Sequence, residues 1–225
     1  MAVRKLRVLV VDDSAVSREL IARGIGADPG IEVVAVASDA FKARDAIEEY
    51  EPDVMALDVE MPRMNGIAFL RLLLPQYPMP VVVMSAIGSN VFDAMQAGAI
   101  DFVTKPESGA GEGFQGFLNE LVLKLKIAST ARVRQQPAHH SLQDRRTGPL
   151  SGSRNIIAIG ASTGGTEAIQ ELLSDLPTDC PPIVIVQHMP PLFTRMYAER
   201  LDRVLPFTVR EAVDGDTLRR GMVLV

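Results

Sequence analysis

Short apolar runs rich in β-branched residues recur along this chain, and each is followed by a stretch with helical periodicity. KLRVLVV (5–11), IEVVAVA (31–37), the run 53–57 ending at Asp58, PVVVMS (80–85) and DFVTKP (101–106) read as strands. Helical patterns fill the intervals: from Ser14, a plausible N-cap, to about Ala27, then 39–50, Gly66 to Leu74 closed by Pro75, 90–97, and about 114–127. Parallel strands need a crossover element between them, and a helix is what this sequence supplies at each gap. The pattern predicts an α/β fold with a parallel sheet and helices on both faces.

The alternation then breaks. Residues 128–153 are rich in Ser, Gln, Arg, Pro and Gly and offer almost nothing to bury. They read as a flexible linker, with a polar surface excursion of one large domain as the alternative. Charge marks the same division. Residues 1–126 carry 12 basic against 18 acidic side chains, 127–154 carry 5 against 1, and 155–225 carry 6 against 9. Two acidic blocks thus flank a basic segment. Beyond it the alternation restarts: NIIAIG (155–160), a helix from Gly164 to Ser174, PIVIVQ (182–187), a helix over 192–204, PFTVREA (206–212) and GMVLV (221–225). Two to four strands do not complete a doubly wound domain, so this second unit is expected to be unfinished. The expected organisation is a domain over 1–126, a basic linker over 127–153 and an incomplete domain over 154–225.

Other classes are disfavoured. A formal net charge of −5 gives no global attraction to nucleic acid or anionic membrane. The single cysteine, Cys180, excludes an intramolecular disulfide and fits a reducing compartment. No apolar run approaches membrane-span length, and Met1 to Leu9 lacks the pattern of a signal peptide. The expected location is cytoplasmic.

Ligands of an open parallel sheet bind at the carboxyl ends of its strands. Asp12 and Asp13 end the first strand, Asp58 the third, Ser85 the fourth and Lys105 the fifth. An Asp-Asp pair after a strand is by itself often a helix-capping device. Three carboxylates at one edge repel each other unless a hard cation holds them, and Mg²⁺ suits such a donor set. With a metal bound, one carboxylate can attack a phosphoryl group, while Lys105 supplies a cation and Ser85 a hydroxyl.

These residues carry a resemblance. VVDDS (10–14), LDVEMPRMNG (57–66), MSA (84–86) and DFVTKP (101–106) occur in the order found in bacterial response-regulator receiver domains. The resemblance covers roughly the first 125 residues and implies a flavodoxin-like doubly wound sheet. It implies Asp58 as phosphoacceptor and Asp12, Asp13, Asp58 and the backbone carbonyl of Glu60 as Mg²⁺ ligands. Ser85, Lys105 and Phe102 become the switch residues, although a bare Phe102 reads as core packing. Pro106 follows Lys105, where such domains often carry a cis peptide bond. Met55, Met61 and Met64 read as packing or turn residues.

In the second unit, IIAIGASTGGTEAI (156–169) reads as strand, tight turn and helix, and Gly160-Ala161-Ser162-Thr163-Gly164 fits G-x-S-x-G. The turn would lift the Ser162 hydroxyl above the sheet and aim a helix N-terminus at developing negative charge. A Gly/Ser-rich turn of this kind also binds phosphates, although the P-loop pattern is absent. Three histidines are present. His139 and His140 fall in the linker. His188 ends the apolar strand next in sequence, as a general base for Ser162 or as a structural hydrogen-bonder.

IGASTGG (159–165), VQHMPPLFT (186–194) and YAERLD (197–202) resemble the catalytic domain of the chemotaxis protein-glutamate methylesterase family, CheB. The order receiver, linker, hydrolase matches that family as well, and the second unit becomes the first part of a Rossmann-like hydrolase domain. The resemblance implies Ser162 as nucleophile, Thr163 as a contributor and His188 as general base. The expected activity is phosphorylation-activated hydrolysis of glutamyl methyl esters on chemoreceptors, together with deamidation of receptor glutamines. A histidine kinase would be the phosphodonor and methylated chemoreceptors the substrate, with no nucleic acid and no direct membrane insertion. The family's third catalytic residue, an aspartate, lies in a later segment. Asp214 and Asp216 read as turn residues instead, so this chain alone is expected to be inactive or nearly so. The contrasting expectation is a non-enzymatic response regulator whose GASTGG turn binds a partner or a nucleotide.

Overall fold

The structure is a computed structural model describing residues 4–61, 65–86, 91–106, 112–130, 155–190 and 193–225. The chain divides into two compact units, 1–136 and 137–225. Of the residues singled out above, Met64, His139 and His140 lie outside the described residues, as do 131–153 of the expected linker.

The first unit follows the expected alternation: β1 (Leu6–Val11), α1 (Ala15–Ile25), β2 (Ile31–Ala37), α2 (Ala40–Tyr50), β3 (Val54–Asp58), α3 (Gly66–Leu73), β4 (Val81–Ser85), α4 (Val91–Gln96), β5 (Asp101–Thr104) and α5 (Glu112–Ala128). Its five described strands are all parallel, in the order β2-β1-β3-β4-β5. That order reverses direction at β1, the switch point at which doubly wound sheets open a crevice. Val8, Val10, Val54, Ala56, Val82, Met84 and Val103 face one side and pack with Ile21 and Ile25 of α1 and Phe117, Leu121 and Leu125 of α5. The intervening Leu9, Met55, Leu57 and Val83 are equally buried on the opposite side. Such two-sided burial explains why these strands read as continuous apolar runs rather than as alternating ones.

Local chemistry sets the helix ends. Ser14 caps α1 by accepting from the Ser17 amide (3.3 Å), and Asp39 caps α2 from the amides of Phe41 and Lys42 (3.1 and 3.0 Å). Asn65 caps α3 from Ala68 (2.8 Å). The sequence boundary at 126 falls inside α5, which continues to the fully buried Ala128. Met55 and Met61 are core residues.

The second unit contains β6 (Ile157–Ala161), α6 (Gly165–Ser174), β7 (Ile183–Gln187), α7 (Phe193–Val204), β8 (Thr208–Arg210) and β9 (Met222–Leu224). Its four described strands form one parallel sheet in the order β6-β7-β9-β8. β8 starts later than the expected 206–212, since Pro206 has no N–H to donate. Beyond Arg210 backbone pairing continues only with Val225, whose amide donates to the Arg210 carbonyl (3.1 Å) and whose carbonyl accepts from the Ala212 amide (2.9 Å). Ile169 and Leu173 of α6 and Phe193, Tyr197 and Leu201 of α7 are buried with Ile183, Ile185 and Val223 of the sheet. No described helix is long and apolar enough to cross a membrane.

Candidate functional site

Parallel pairing brings the first constellation to one edge. Asp12 follows β1 directly, Asp58 closes β3, Ser85 closes β4 and Lys105 follows β5. Asp12, Asp58 and Ser85 are almost fully buried, while Asp13 is exposed. Carboxylate oxygens of Asp12, Asp13 and Asp58 all lie within 4.8 Å of one another. The Lys105 ammonium reaches in from β5, 2.6 Å from Asp58 Oδ2 and 2.8 Å from Asp12 Oδ2. Two of the three clustered carboxylates thus share one ammonium. The surplus of negative charge and the all-oxygen donor set are compatible with a hard divalent cation such as Mg²⁺.

The surroundings orient each carboxylate. Asp12 Oδ1 accepts from the Ser14 amide (2.9 Å) and Oδ2 from the Ser17 hydroxyl (2.8 Å). Asp58 Oδ1 accepts from the Glu60 amide (3.1 Å), which sets the Glu60 backbone beside the acidic cluster. After Asp58 the chain doubles back so closely that a Cβ on Gly66 would stand 2.4 Å from the Asp58 carbonyl oxygen. The Lys105 amide donates to the Ser85 carbonyl (2.8 Å), and the Ser85 hydroxyl donates to the Ala86 carbonyl (3.2 Å). The Lys105–Pro106 bond is trans, not cis; trans is the lower-energy form even before proline.

Burial pushes the Asp58 carboxyl above its ordinary pKa, and Asp12 adds to the rise, while Lys105 and the Glu60 amide oppose it. Asp58 therefore favours the folded state most below the usual carboxylate range, and that contribution is lost as pH rises through its raised pKa. Burial works to strip the proton from Lys105, but Asp58 and Asp12 outweigh it and hold the ammonium charged to higher pH than usual.

Phe102 is buried in β5, edge-on to Phe92 with ring centroids 6.5 Å apart. The buried Lys124 of α5 sets its ammonium 5.1 Å from the Phe102 ring centre. The same ammonium donates to the Phe102 carbonyl (2.5 Å) and pairs with Asp101 (3.1 Å) and Glu120 (3.0 Å). The sequence reading missed Lys124, and it missed Ser17 and Arg18, whose guanidinium donates to the Asp12 carbonyl (2.7 Å).

The second constellation lies at the carboxyl edge of the other sheet. Ser162 leaves the end of β6 and is exposed, Thr163 and Gly164 turn the chain, and α6 begins at Gly165. Gly164 adopts φ +75°, the left-handed conformation that the tight turn needs. Gly160, the first glycine of G-x-S-x-G, has ordinary φ and nothing within 4 Å of its would-be Cβ. The steric requirement falls instead on Gly165, whose Cβ would stand 2.2 Å from Gln187 Oε1 and 2.6 Å from Ala161 Cβ. His188 follows β7, beside β6, and its amide donates to the Ala161 carbonyl (3.0 Å), so Ser162 and His188 emerge at neighbouring strand ends. Asp216 pairs with Arg210 and accepts from the Val213 amide, fastening the loop after β8, and Asp214 is exposed. Both match the turn role expected of them.

Residues 8–110 match the response regulator receiver domain family, and residues 157–225 match the CheB methylesterase family. The chain belongs to the family of receiver-linked CheB methylesterases. A protein-glutamate methylesterase/protein-glutamine glutaminase of Syntrophomonas wolfei is 53% identical over 226 residues, covering 100% of this chain and 66% of that protein. One from Pseudomonas aeruginosa is 48% identical, covering 98% of this chain and 64% of that protein. The chain thus spans about two thirds of the length of the curated relatives it matches. The crystal structure of the response regulator domain of Thermotoga maritima CheB superposes with a TM-score of 0.53 at 36% identity, covering 57% of this chain and 99% of that one. The flavodoxin-like receiver and the second parallel α/β region stand as the sequence implied. Every residue of the acidic site falls within the receiver match, and Ser162, Thr163 and His188 fall within the methylesterase match.

Proposed function

We propose that this chain is the receiver and nucleophile-bearing part of a phosphorylation-controlled protein-glutamate methylesterase. It would act in the cytoplasm on methylated chemoreceptors, with a histidine kinase as phosphodonor, and would also deamidate receptor glutamines. The observation that carries the reading is the joining, in one chain, of a buried aspartate with an ammonium 2.6 Å away to a serine turn in a methylesterase-family sheet. The relatives' names favour hydrolysis over a non-enzymatic binding module.

In this reading an Asp58 oxygen attacks the phosphorus of a phosphohistidine, forming an acyl phosphate as the P–N bond breaks. Lys105 faces the new phosphoryl oxygens, and Ser85 supplies a hydroxyl from the neighbouring strand end. Asp12, Asp13, Asp58 and the Glu60 carbonyl would hold Mg²⁺, which supplies charge neutralisation at the phosphoryl group. Phe102, pinned between Phe92 and Lys124, reports the change to the α5 side of the domain. In the hydrolase, Ser162 Oγ attacks the glutamyl ester carbonyl while His188 takes its proton and returns it to the departing methanol. Thr163 and the first turn of α6 face the developing oxyanion. Water then releases the glutamate carboxylate.

The test is methyl-ester hydrolysis by the full gene product with and without a small acyl-phosphate donor. Donor-dependent stimulation is expected, and Asp58→Asn should abolish the stimulation while leaving basal turnover. Stimulation that survives Asp58→Asn would refute the phosphoacceptor assignment. The metal site has its own check in thermal melts. Mg²⁺ at tenfold its dissociation constant should stabilise the receiver by about 1.4 kcal/mol, and Asp13→Asn should weaken the effect. An unchanged melting temperature over a wide Mg²⁺ range would rule the site out.

A further inference from the structure

Gln187 is the last residue of β7, and its side chain lies on the buried face that Ile183 and Ile185 form earlier in the strand. It is 9% exposed, an amide where the strand's pattern calls for an apolar side chain. Its Nε2 donates to the Ser162 carbonyl at 2.8 Å and approaches the His188 carbonyl at 3.3 Å. One amide nitrogen therefore bridges the main chains of the two residues assigned as nucleophile and base. The amide orientation follows from this pairing, because a flipped amide would set its oxygen against two carbonyl oxygens. The oxygen it does present, Oε1, is buried with no hydrogen-bond partner among the described residues. It rests against the start of α6, in the notch that the missing side chain of Gly165 leaves open.

Packing alone gives no reason for this amide. A methionine or leucine would fill the volume and leave no unsatisfied oxygen behind. What the amide supplies is a pair of donors at a fixed place. The Ser162 carbonyl also accepts from the Gly165 amide (2.8 Å), so two donors from two different elements converge on the serine's own peptide group. Backbone pairing of β6 and β7 stops at Ala161 and His188, one residue short of the serine. The Gln187 side chain extends the tie across that last step.

We infer that Gln187 is a positioning residue for the Ser162–His188 pair, holding the serine turn in register with the histidine end of β7. The inference rests on the hydrolase reading above. Losing the bridge should misplace the reacting groups more than it weakens substrate binding, so it should act on kcat rather than on KM.

The experiment uses the full gene product, a methylated receptor fragment as substrate and an acyl-phosphate donor. Gln187→Met keeps the volume and removes the donors; kcat should fall about 10- to 100-fold while KM stays within about threefold. Gln187→Glu keeps the shape but turns a charged acceptor toward two carbonyls. Its kcat should fall similarly at neutral pH, and the variant-to-native kcat ratio should rise as pH falls, because a protonated carboxyl can again donate to the Ser162 carbonyl. A packing role would instead leave Gln187→Met near native, since methionine fills the same volume. Ser162→Ala measured in parallel separates the two readings. If it retains turnover, the hydrolase assignment fails. If it abolishes turnover while both Gln187 variants stay within about twofold of native, the positioning inference fails alone. A flat pH ratio overturns the inference, as does loss of the fold in both variants, which assigns Gln187 to the sheet rather than to the site.

Discussion

Replacing Ser162 by alanine should lower kcat for ester hydrolysis by on the order of 10⁴-fold or more in the full gene product, with KM little changed. Removing a serine nucleophile eliminates the covalent route, and the turnover that survives comes from oxyanion stabilisation and substrate binding alone. Stability should stay within about 0.5 kcal/mol, because the Ser162 side chain is exposed and the turn is held through its backbone. The two halves of the expectation protect each other: a catalytic collapse with an unchanged melting temperature cannot be blamed on misfolding. Steady-state kinetics on a methyl ester, with fluorophosphonate labelling of the native protein, make the check. Residual turnover above a few per cent, or labelling that persists in Ser162→Ala, would place the nucleophile elsewhere.

Lys124→Met should produce the largest stability loss in the receiver, about 3–5 kcal/mol. The ammonium is buried, so its attractions are weakly screened, and it is shared among the Asp101 carboxylate, the Glu120 carboxylate, the Phe102 carbonyl and the Phe102 ring. The methionine stem replaces the packing but leaves the buried Asp101 carboxylate with its charge uncompensated. Pairing the change with Asp101→Asn should recover part of the loss, because no buried charge then remains without its counterion. Urea unfolding of the native protein and both variants measures this. A single-variant cost below about 1 kcal/mol would mean that the cluster is solvated as an exposed pair would be.

The fold was readable where burial on both faces of a sheet writes an unbroken apolar run. PVVVMS marked β4, buried at every position, to within one residue. Ends set by small or polar residues were harder. α5 begins at Glu112, ahead of its first apolar marker, and ends at Ala128, whose burial its size does not advertise. The acidic constellation was readable because strand ends are addresses: a carboxylate or lysine following an apolar run has one place to go in a parallel sheet. Lys124 and Gln187 had no such address. Lys124 meets Asp101 across 23 residues and Gln187 meets Ser162 across 25, so each depends on a side chain reaching between elements that only folding brings together. Gln187 lay within the quoted VQHMPPLFT run, but nothing in a strand-end glutamine says which carbonyls it will find.

The two glycines after the serine obey different selection rules. Position 164 discriminates by handedness: its backbone sits where an L-residue is strained, yet there is open space around its Cβ site. A D-alanine introduced there by chemical ligation would satisfy the torsion. Position 165 discriminates by bulk: its φ is ordinary, but an L-side chain would collide at once with Gln187 and Ala161. A laboratory search for tolerated replacements would therefore find adjacent positions, identical in sequence, that answer to chirality in one case and to volume in the other.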